Sequence, residues 1–208
     1  MQTKGVLVVV SGFSGAGKGT VMKALLDKYD NYALSVSATT RSPRPGEENG
    51  REYFFLTESQ FEDMIRNDEL IEHARYVDHY YGTPRKYVED KIAAGKDVIL
   101  EIEIQGALNI KKKFPDALLV FIVPPTAKDL KKRLIGRGTE SAEVIEKRLR
   151  RAAEESDGMD SYDYIVVNDD VDTCVEDLHS LIRSSHFKES ANTDLVARMK
   201  QELHDMTK

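Results

Sequence analysis

The sequence has a single cysteine among its 208 residues. One cysteine, Cys174, excludes a disulfide within the chain and fits a reducing compartment. Because it lies in a helical pattern, VDTCVEDL, we interpret it as a packing residue. No apolar run approaches the roughly 18 residues of a membrane-spanning helix. The run at residues 6–10 lacks the features of a signal peptide. We expect a cytoplasmic protein with no membrane partner.

An excess of positive charge is also missing, since 30 lysines and arginines against 36 acidic residues give a net charge of −6. Broad nucleic-acid binding requires a basic face, so we expect no nucleic-acid partner. Apolar residues make up 40% and charged residues 32% of the chain, which is typical of a globular protein rather than a disordered one. The length suits one domain with a sizeable core.

Four apolar runs rich in β-branched residues recur along the chain. Such runs are typical of strands that are buried on both faces. They lie at residues 6–10, 97–102, 117–123 and 164–168. Segments with helical spacing separate them, at residues 17–28, 105–113, 126–135 and 171–187. Strands that alternate with helices predict an α/β fold, with a parallel sheet covered on both sides.

Two segments interrupt this alternation. Residues 35–84 are polar, aromatic and rich in turn residues, with a capping box that begins at Thr57, and we interpret them as an inserted lobe. A second insertion, residues 136–148, surrounds GRGTES. The predicted core is then residues 1–34, 85–135 and 149–187. In residues 188–208 we expect a terminal helix, packed on the core or a partner through Leu195, Val196, Met199, Leu203 and Met206.

The most specific motif follows the first predicted strand. Residues 12–18 read GFSGAGK, the first seven positions of the phosphate-loop pattern GxxxxGK[ST], in its strand-to-helix context. Glycines let several backbone N–H groups point into one concavity, and the following helix adds its positive end. Lys18 supplies a cation for the outer phosphates. The expected ATP-binding residues here are Gly12, Phe13, Ser14, Gly15, Ala16, Gly17, Lys18, Gly19 and Thr20.

The eighth position of the pattern is Gly19, which has no hydroxyl group to bind a metal. Thr20 follows, and its hydroxyl and N–H can serve an inner phosphate. Mg²⁺ would then depend on nucleotide phosphates and water rather than on a direct ligand from the loop. This arrangement favours phosphoryl transfer between two nucleotides over a hydrolytic switch.

The inserted lobe has the residues of a second anion site and of a base site. Arginine forks match phosphate oxygens, and tyrosine hydroxyls add donors. The candidates are Arg41, Arg44, Arg51 and Tyr53. Further along, a carboxylate, Glu72, accompanies the hydroxyls of Ser37 and Thr83. One carboxylate can accept the adjacent N1–H and N2–H₂ donors of guanine, a pair that adenine lacks.

Arginines flank the second insertion. Arg133 and Arg137 are four residues apart, and Arg148 and Arg151 are three apart on the next helix, so each pair shares a helix face. Phosphoryl transfer accumulates charge that positioned arginines stabilise, while closure of a lid excludes water. We interpret Arg151, with Lys147, as part of a solvated face.

Together these motifs resemble the bacterial-type guanylate kinases, P-loop nucleoside monophosphate kinases that convert GMP and ATP to GDP and ADP. The resemblance runs in order from about residue 4 to residue 187, through GFSGAGKGT, SVSATTRSPRPGEENGREYFF, LIEHARY, YYGT, LEIEIQG, LKKRLIGRGTES and VVNDD. It implies a P-loop kinase fold with a parallel sheet flanked by helices. It also implies a GMP-binding lobe at residues 35–84, a lid at 136–148, and Mg²⁺ as the cofactor with ATP.

The resemblance also implies residue roles. The GMP phosphate would be held by Arg41, Arg44, Tyr53 and Tyr81. The guanine would contact Ser37, Glu72, Thr83 and Glu103. On the donor side, ATP and the transferring phosphoryl group would be clamped by Arg133, Arg137 and Arg148, with Asn168 beside the adenine. The expected catalytic residues are Lys18, Arg41 and these three arginines, and the candidate metal contacts, direct or through water, are Thr20 and Glu101.

This sequence departs from the family pattern at three of these positions. Glu101 and Glu103 stand where the family often has aspartates, which leaves open how they divide base contact and water-mediated Mg²⁺ contact. Phe13 stands where the family usually has proline, and there we expect altered loop packing rather than lost function.

Two other functions stay open. One is another P-loop kinase of small acceptors, either similar to adenylate kinase or one that forms a bisphosphate. The other is a non-catalytic guanylate kinase-like interaction module, which can keep the acceptor lobe while losing the nucleotide loop. The intact loop, the lid arginines and the absence of an accessory domain favour the enzyme. We expect ATP and GMP as substrates, and a monomer or homodimer.

Overall fold

The computed structural model describes residues 4–76, 78–136 and 141–207. The strands are β1 (Leu7–Gly12), β2 (Tyr32–Leu34), β3 (Ser37–Thr39), β4 (Tyr53–Phe55), β5 (Leu70–Tyr76), β6 (His79–Pro84), β7 (Asp97–Glu101), β8 (Leu118–Val123) and β9 (Tyr164–Val167). The helices are α1 (Lys18–Lys28), α2 (Glu58–Arg66), α3 (Arg85–Ala93), α4 (Ile104–Lys113), α5 (Ala127–Gly136), α6 (Ala142–Ser156), α7 (Val171–Ser185) and α8 (Thr193–Met206).

The predicted apolar runs form a parallel central sheet in the order β2-β7-β1-β8-β9. Val8 at its centre pairs with Ile99 of β7 and with Leu118 of β8. Since side chains alternate along a strand, one face packs on α1 and α7 and the other on α3 and α4. The predicted α/β architecture is confirmed, and the carboxyl ends of β1 and β7 lie side by side.

Cys174 is fully buried in the cluster between the sheet and α7. Burial raises the pKa of its thiol to about 11, so the thiol stays protonated at neutral pH and has little nucleophilic character. The prediction of a packing residue is confirmed.

The lobe contains a second sheet, in the order β4-β3-β6-β5. One of its faces packs on α2 through Phe61, Ala38 and Leu70, which are buried together. The predicted capping box at the start of α2 is present: the Thr57 hydroxyl accepts from the Gln60 N–H, and the Gln60 side chain accepts from the Thr57 N–H. With one face covered by α2, the opposite face of this sheet is the one available to a binding site.

Helices α5 and α6 pack on each other beside the phosphate loop, around Leu130, Leu134 and Ala152. The predicted lid, residues 136–148, overlaps the first half of α6. None of the described helices has the length and apolarity needed to cross a membrane.

The predicted terminal helix forms as α8, but none of its described side chains is buried. The exposed fraction rises along its apolar stripe, from 39% at Leu195 to 83% at Met206. In the residues that the structure describes, α8 therefore buries no side chain on the core, and the other expected arrangement, packing on a partner, stays a prediction.

Candidate active site

The loop after β1 leads directly into α1, and Gly17 is its last residue. Gly17 has φ 92°, and a Cβ there would lie 2.5 Å from Nδ2 of Asn168. Both the positive φ and this close approach require glycine. Gly19 is different, because nothing lies within 4 Å of an added Cβ. A steric clash therefore does not explain why this position has a glycine rather than a residue with a hydroxyl group.

Lys18 begins α1 and folds back over the loop. Its ammonium group donates to the carbonyl oxygens of Gly12 at 2.7 Å and Phe13 at 3.3 Å. These bonds hold the Lys18 ammonium against the backbone of the loop. The positive end of α1 adds to the same field, so this is the region of the loop best suited to phosphate oxygens.

Two side chains brace the loop through the carbonyl of Ala16. Nδ2 of Asn168 donates to this oxygen at 2.7 Å, and Nη1 of Arg133 donates to it at 3.1 Å. Arg133 also donates to the carbonyl of Asn168 at 2.7 Å. Asn168 is only 3% exposed, so it supports the loop from within, and its contact with adenine stays a prediction.

The outer side of the loop contacts β8 and α6. The ring of Phe13 packs edge-on against Phe121 of β8, with 5.1 Å between the ring centroids. It also packs against the cluster between α5 and α6. Arg148 of α6 donates to the hydroxyl of Ser14. Phe13 therefore anchors the loop through its side chain, and the altered packing relative to the family's proline stays a prediction.

The lobe sheet lines up a row of side chains on one face. Ser37 pairs with Tyr53, and Glu72 pairs with Thr83. The register of β3 on β6 sets Ser37 opposite Thr83. Paired residues point to the same face, so the row Tyr53–Ser37–Thr83–Glu72 crosses all four strands. Tyr81 shares this face, with its ring centroid 6.1 Å from that of Tyr53.

At one end of the row, Glu72 is 6% exposed. One of its carboxylate oxygens accepts a hydrogen bond of 2.8 Å from the Thr83 hydroxyl. Burial raises the pKa of Glu72, while the Thr83 hydrogen bond and the Lys113 ammonium oppose the shift. The structure thus brings together the carboxylate and the hydroxyl that were predicted to read guanine.

At the other end, Arg41 lies over the ring of Tyr53, with 5.3 Å between its guanidinium carbon and the ring centroid. Its guanidinium donates to both carboxylate oxygens of Glu47, at 2.9 and 3.0 Å. The same carboxylate accepts from the Arg44 N–H at 2.7 Å. These hydrogen bonds, with that from Arg41 the strongest, lower the pKa of Glu47. The Arg44 side chain is exposed.

A cavity of about 290 Å³ joins the two regions. Its walls include Lys18 from the phosphate loop, Tyr53 from the lobe, and Glu101 and Glu103 from the end of β7. Glu101 and Thr20 also line a second opening along the loop. Desolvation by the cavity walls raises the pKa of Glu101, although the Lys18 ammonium opposes this.

The sequence profile of the guanylate kinase family matches residues 4–185. The chain belongs to the guanylate kinase family. A guanylate kinase of Caldanaerobacter subterraneus subsp. tengcongensis is 46% identical over 97% of this chain and 98% of its own length. A guanylate kinase of Lactococcus lactis subsp. lactis is 50% identical over 90% of this chain and 92% of its own length.

A solved guanylate kinase has the same architecture. The crystal structure of guanylate kinase from Anaplasma phagocytophilum superposes with a TM-score of 0.73 at 32% identity, covering 90% of this chain and 89% of its own. Both the resemblance and the predicted fold are therefore confirmed.

One predicted site residue, Arg137, lies outside the residues that the structure describes. The guanidinium of Arg151 donates to Glu103 at 2.6 Å, and the Arg151 side chain is 43% exposed. The interpretation of Arg151 as part of a solvated face is compatible with this exposure, but the sequence did not indicate the pairing with Glu103. Lys147 is exposed, as expected. Glu47 had no motif to mark it. Its role depends on a turn that brings it back onto Arg41 and Arg44. The two residues between Arg44 and Glu47, Pro45 and Gly46, indicate the turn, but they do not indicate which side chain the turn brings onto the arginines.

Proposed function

We propose that the protein transfers the γ-phosphoryl group of ATP to GMP, giving ADP and GDP, with Mg²⁺ bound to the ATP. Membership of the guanylate kinase family supports this reaction, since relatives of that name match over nearly their whole length. The observation that carries the proposal is the row of side chains from Glu72 to Tyr53. Through Tyr53 this row borders the cavity that Lys18 also lines.

Guanine binds at the Glu72 end of the row. The ionised carboxylate accepts the N1–H and N2–H₂ donors of the base, and the Thr83 hydroxyl fixes its orientation. Adenine would instead turn the lone pair of its N1 toward the carboxylate, which is repulsive. Ser37, opposite Thr83, adds a hydroxyl to the same face. Glu103, which immediately precedes α4, is assigned to the same nucleotide by the family resemblance.

The GMP phosphate binds at the other end of the row. Arg41 and Arg44 supply the positive charge, and the hydroxyls of Tyr53 and Tyr81 add donors. An arginine fork can hold two phosphate oxygens at once. In this position the phosphate faces the cavity that Lys18 lines, so an oxygen of GMP can approach the end of the ATP chain.

ATP binds with its outer phosphates in the loop. Backbone N–H groups and the end of α1 hold them, and Lys18 approaches the γ-phosphate. Arg133 fixes the loop through Ala16. Arg148, which already reaches Ser14, and Arg137 act on the transferring group.

The reaction needs no protein nucleophile. An oxygen of the GMP phosphate forms a bond to the γ-phosphorus as the bond from that phosphorus to the β,γ-bridging oxygen breaks, and ADP carries away the electron pair. The protein catalyses this step by aligning the attacking GMP oxygen, the γ-phosphorus and the leaving oxygen of ADP, and by neutralising the charge on the transferring group.

Mg²⁺, when bound, would neutralise charge on the ATP phosphates. Thr20 and Glu101 fit such an ion, because both offer oxygen atoms to one opening. Within the described ranges no cluster of three or more His, Cys, Asp or Glu side chains could hold a metal. Phosphate oxygens and water would therefore complete its shell.

The test is a coupled assay with ATP and each of GMP, AMP, CMP and UMP. GMP should be the best acceptor, and Glu72→Gln should lower the GMP-to-AMP ratio of kcat/KM by about tenfold or more, since a lost base-edge contact costs about 1–3 kcal/mol. Glu62→Gln, on the exposed side of α2, is the matched control. Preference for AMP, or an unchanged ratio in Glu72→Gln, would contradict the base assignment. GMP binding without turnover would favour the interaction module.

A further inference from the structure

Helix α6 contacts both halves of the candidate site through two arginines on one face. Arg148 donates to Ser14 of the phosphate loop. Arg151, three residues later, donates to the carboxylate of Glu103 at 2.6 Å. Its Nε also donates to Glu155 at 3.0 Å. The guanidinium of Arg151 therefore lies between two carboxylates, one from β7–α4 and one from its own helix.

The position of Glu103 depends on this contact. Glu103 immediately precedes α4 with an extended backbone, a position from which side-chain oxygens, most often of Asp, Asn, Ser or Thr, cap a helix by accepting from its first N–H groups. Its side chain makes no such bond. Instead it reaches across to α6 and Arg151. Without that partner, the helix N-terminus would compete for the carboxylate.

The contact between Arg151 and Glu103 also affects the charge of the cavity. Three carboxylates line the cavity, those of Glu101, Glu103 and Glu155, together with the ammonium of Lys18. The proposed substrates carry several negative charges into the same region. Arg151 pairs with two of these carboxylates and so offsets their repulsion of a phosphate, while it fixes where Glu103 points.

We propose that Arg151 is a positioning residue that holds Glu103 in its acceptor-side orientation and thereby supports GMP binding. The inference rests on the proposed function, in which Glu103 belongs to the GMP site. Arg151 acts through Glu103, not by direct contact with the nucleotide. The side chains are 43% and 57% exposed, so solvent screens the pair and its effect is moderate.

Calorimetric titration with GMP alone and with ATP alone tests this assignment. Arg151→Gln should weaken GMP binding by about two- to fivefold, the range of an exposed ion pair. ATP binding should change less. The matched control is Arg150→Gln, the same charge change one residue away, in a solvent-exposed pair with Glu146. It should leave GMP binding within the error of the titration.

A double-mutant cycle with Glu103→Gln separates positioning from general electrostatics. If Arg151 acts through Glu103, Arg151→Gln should have no further effect on GMP affinity in the Glu103→Gln background. Arg151→Lys should recover part of the affinity, and it keeps the test open if the glutamine variant folds poorly. Equal effects of Arg151→Gln in both backgrounds, or no difference from Arg150→Gln, would overturn the inference alone. Failure of the unmodified protein to bind GMP would overturn the proposed function as well.

Discussion

At the scale of single residues, Glu47 holds two parts of the proposed phosphate site. It accepts two bonds from the Arg41 guanidinium and one from the Arg44 backbone. Arg41 stays partly sheltered, since its side chain is 13% exposed in this pair. The carboxylate thus builds the turn that presents both arginines, although it carries the same sign of charge as the proposed ligand.

We predict that Glu47→Gln weakens GMP binding because the turn and the Arg41 fork lose a charged anchor. The expected loss is about three- to thirtyfold, from one or two charge-assisted hydrogen bonds. Calorimetry with GMP measures it. The neighbouring Glu48→Gln changes the same charge at an exposed pair with Arg51 and should have little effect. Tighter GMP binding in Glu47→Gln would show that Glu47 mainly competes with phosphate.

Glu72 is expected to support GMP binding but to lower the stability of the folded protein. Burial raises its pKa, so the ionised form costs stability in the folded protein at neutral pH. We predict that Glu72→Gln raises Tm by a few degrees at pH 7 while it weakens GMP binding. The amide keeps an oxygen to accept the Thr83 bond and removes the buried charge.

The sign of this effect changes with pH in a defined way. A carboxyl whose folded pKa is raised destabilises the protein above that pKa, and the cost disappears as pH falls below the ordinary value of about 4.3. The Tm advantage of Glu72→Gln should therefore be present at pH 7 and shrink in acid. Thermal melts at several pH values measure it. A lower Tm than the unmodified protein at pH 7 would mean that Glu72 is held by partners stronger than its burial cost.

At the scale of elements, two glycines at the start of α1, Gly17 and Gly19, differ in backbone conformation and in the space around them. Gly17→Ala should destabilise the fold by about 2 kcal/mol or more, because of its positive φ and the clash with Asn168. Gly19→Ala should stabilise it by up to about 1 kcal/mol, since alanine favours helix and the space is open. Chemical denaturation of the two variants measures both. Equal destabilisation would contradict the difference between the two positions.

The central strands were predictable because burial on both faces leaves an unbroken apolar run, as in β8. The three-residue strand β2 was not, because Tyr32–Leu34 is too short for a periodic signal. The strands of the lobe were also missed, since they are only three to seven residues long and mix polar site residues with apolar ones. Their cross-strand register, which unites Ser37, Thr83 and Glu72, depends on pairings distant in sequence.

At the scale of the whole molecule, the two proposed binding regions belong to different parts of the chain. The phosphate loop extends the central sheet, and the guanine row lies on the lobe sheet. They meet at the cavity between Lys18 and Tyr53. Two nucleotides bound together would bridge these parts, so the affinity for one should rise with the other.

We therefore predict that GMP and a non-hydrolysable ATP analogue together protect the lobe, residues 35–84, and the lid, residues 136–148, from proteolysis. Trypsin has an accessible site in the lobe after Arg51, whose side chain is 54% exposed. With both ligands well above their Kd values, cleavage there should slow by about tenfold or more, and by more than with either ligand alone. Helix α8 supplies an internal control, because its Arg198 is 48% exposed and none of its described side chains is buried. Cleavage after Arg198 should continue at an unchanged rate. Equal protection of α8 and the lobe would indicate general stabilisation, and no protection of the lobe would contradict closure around two nucleotides.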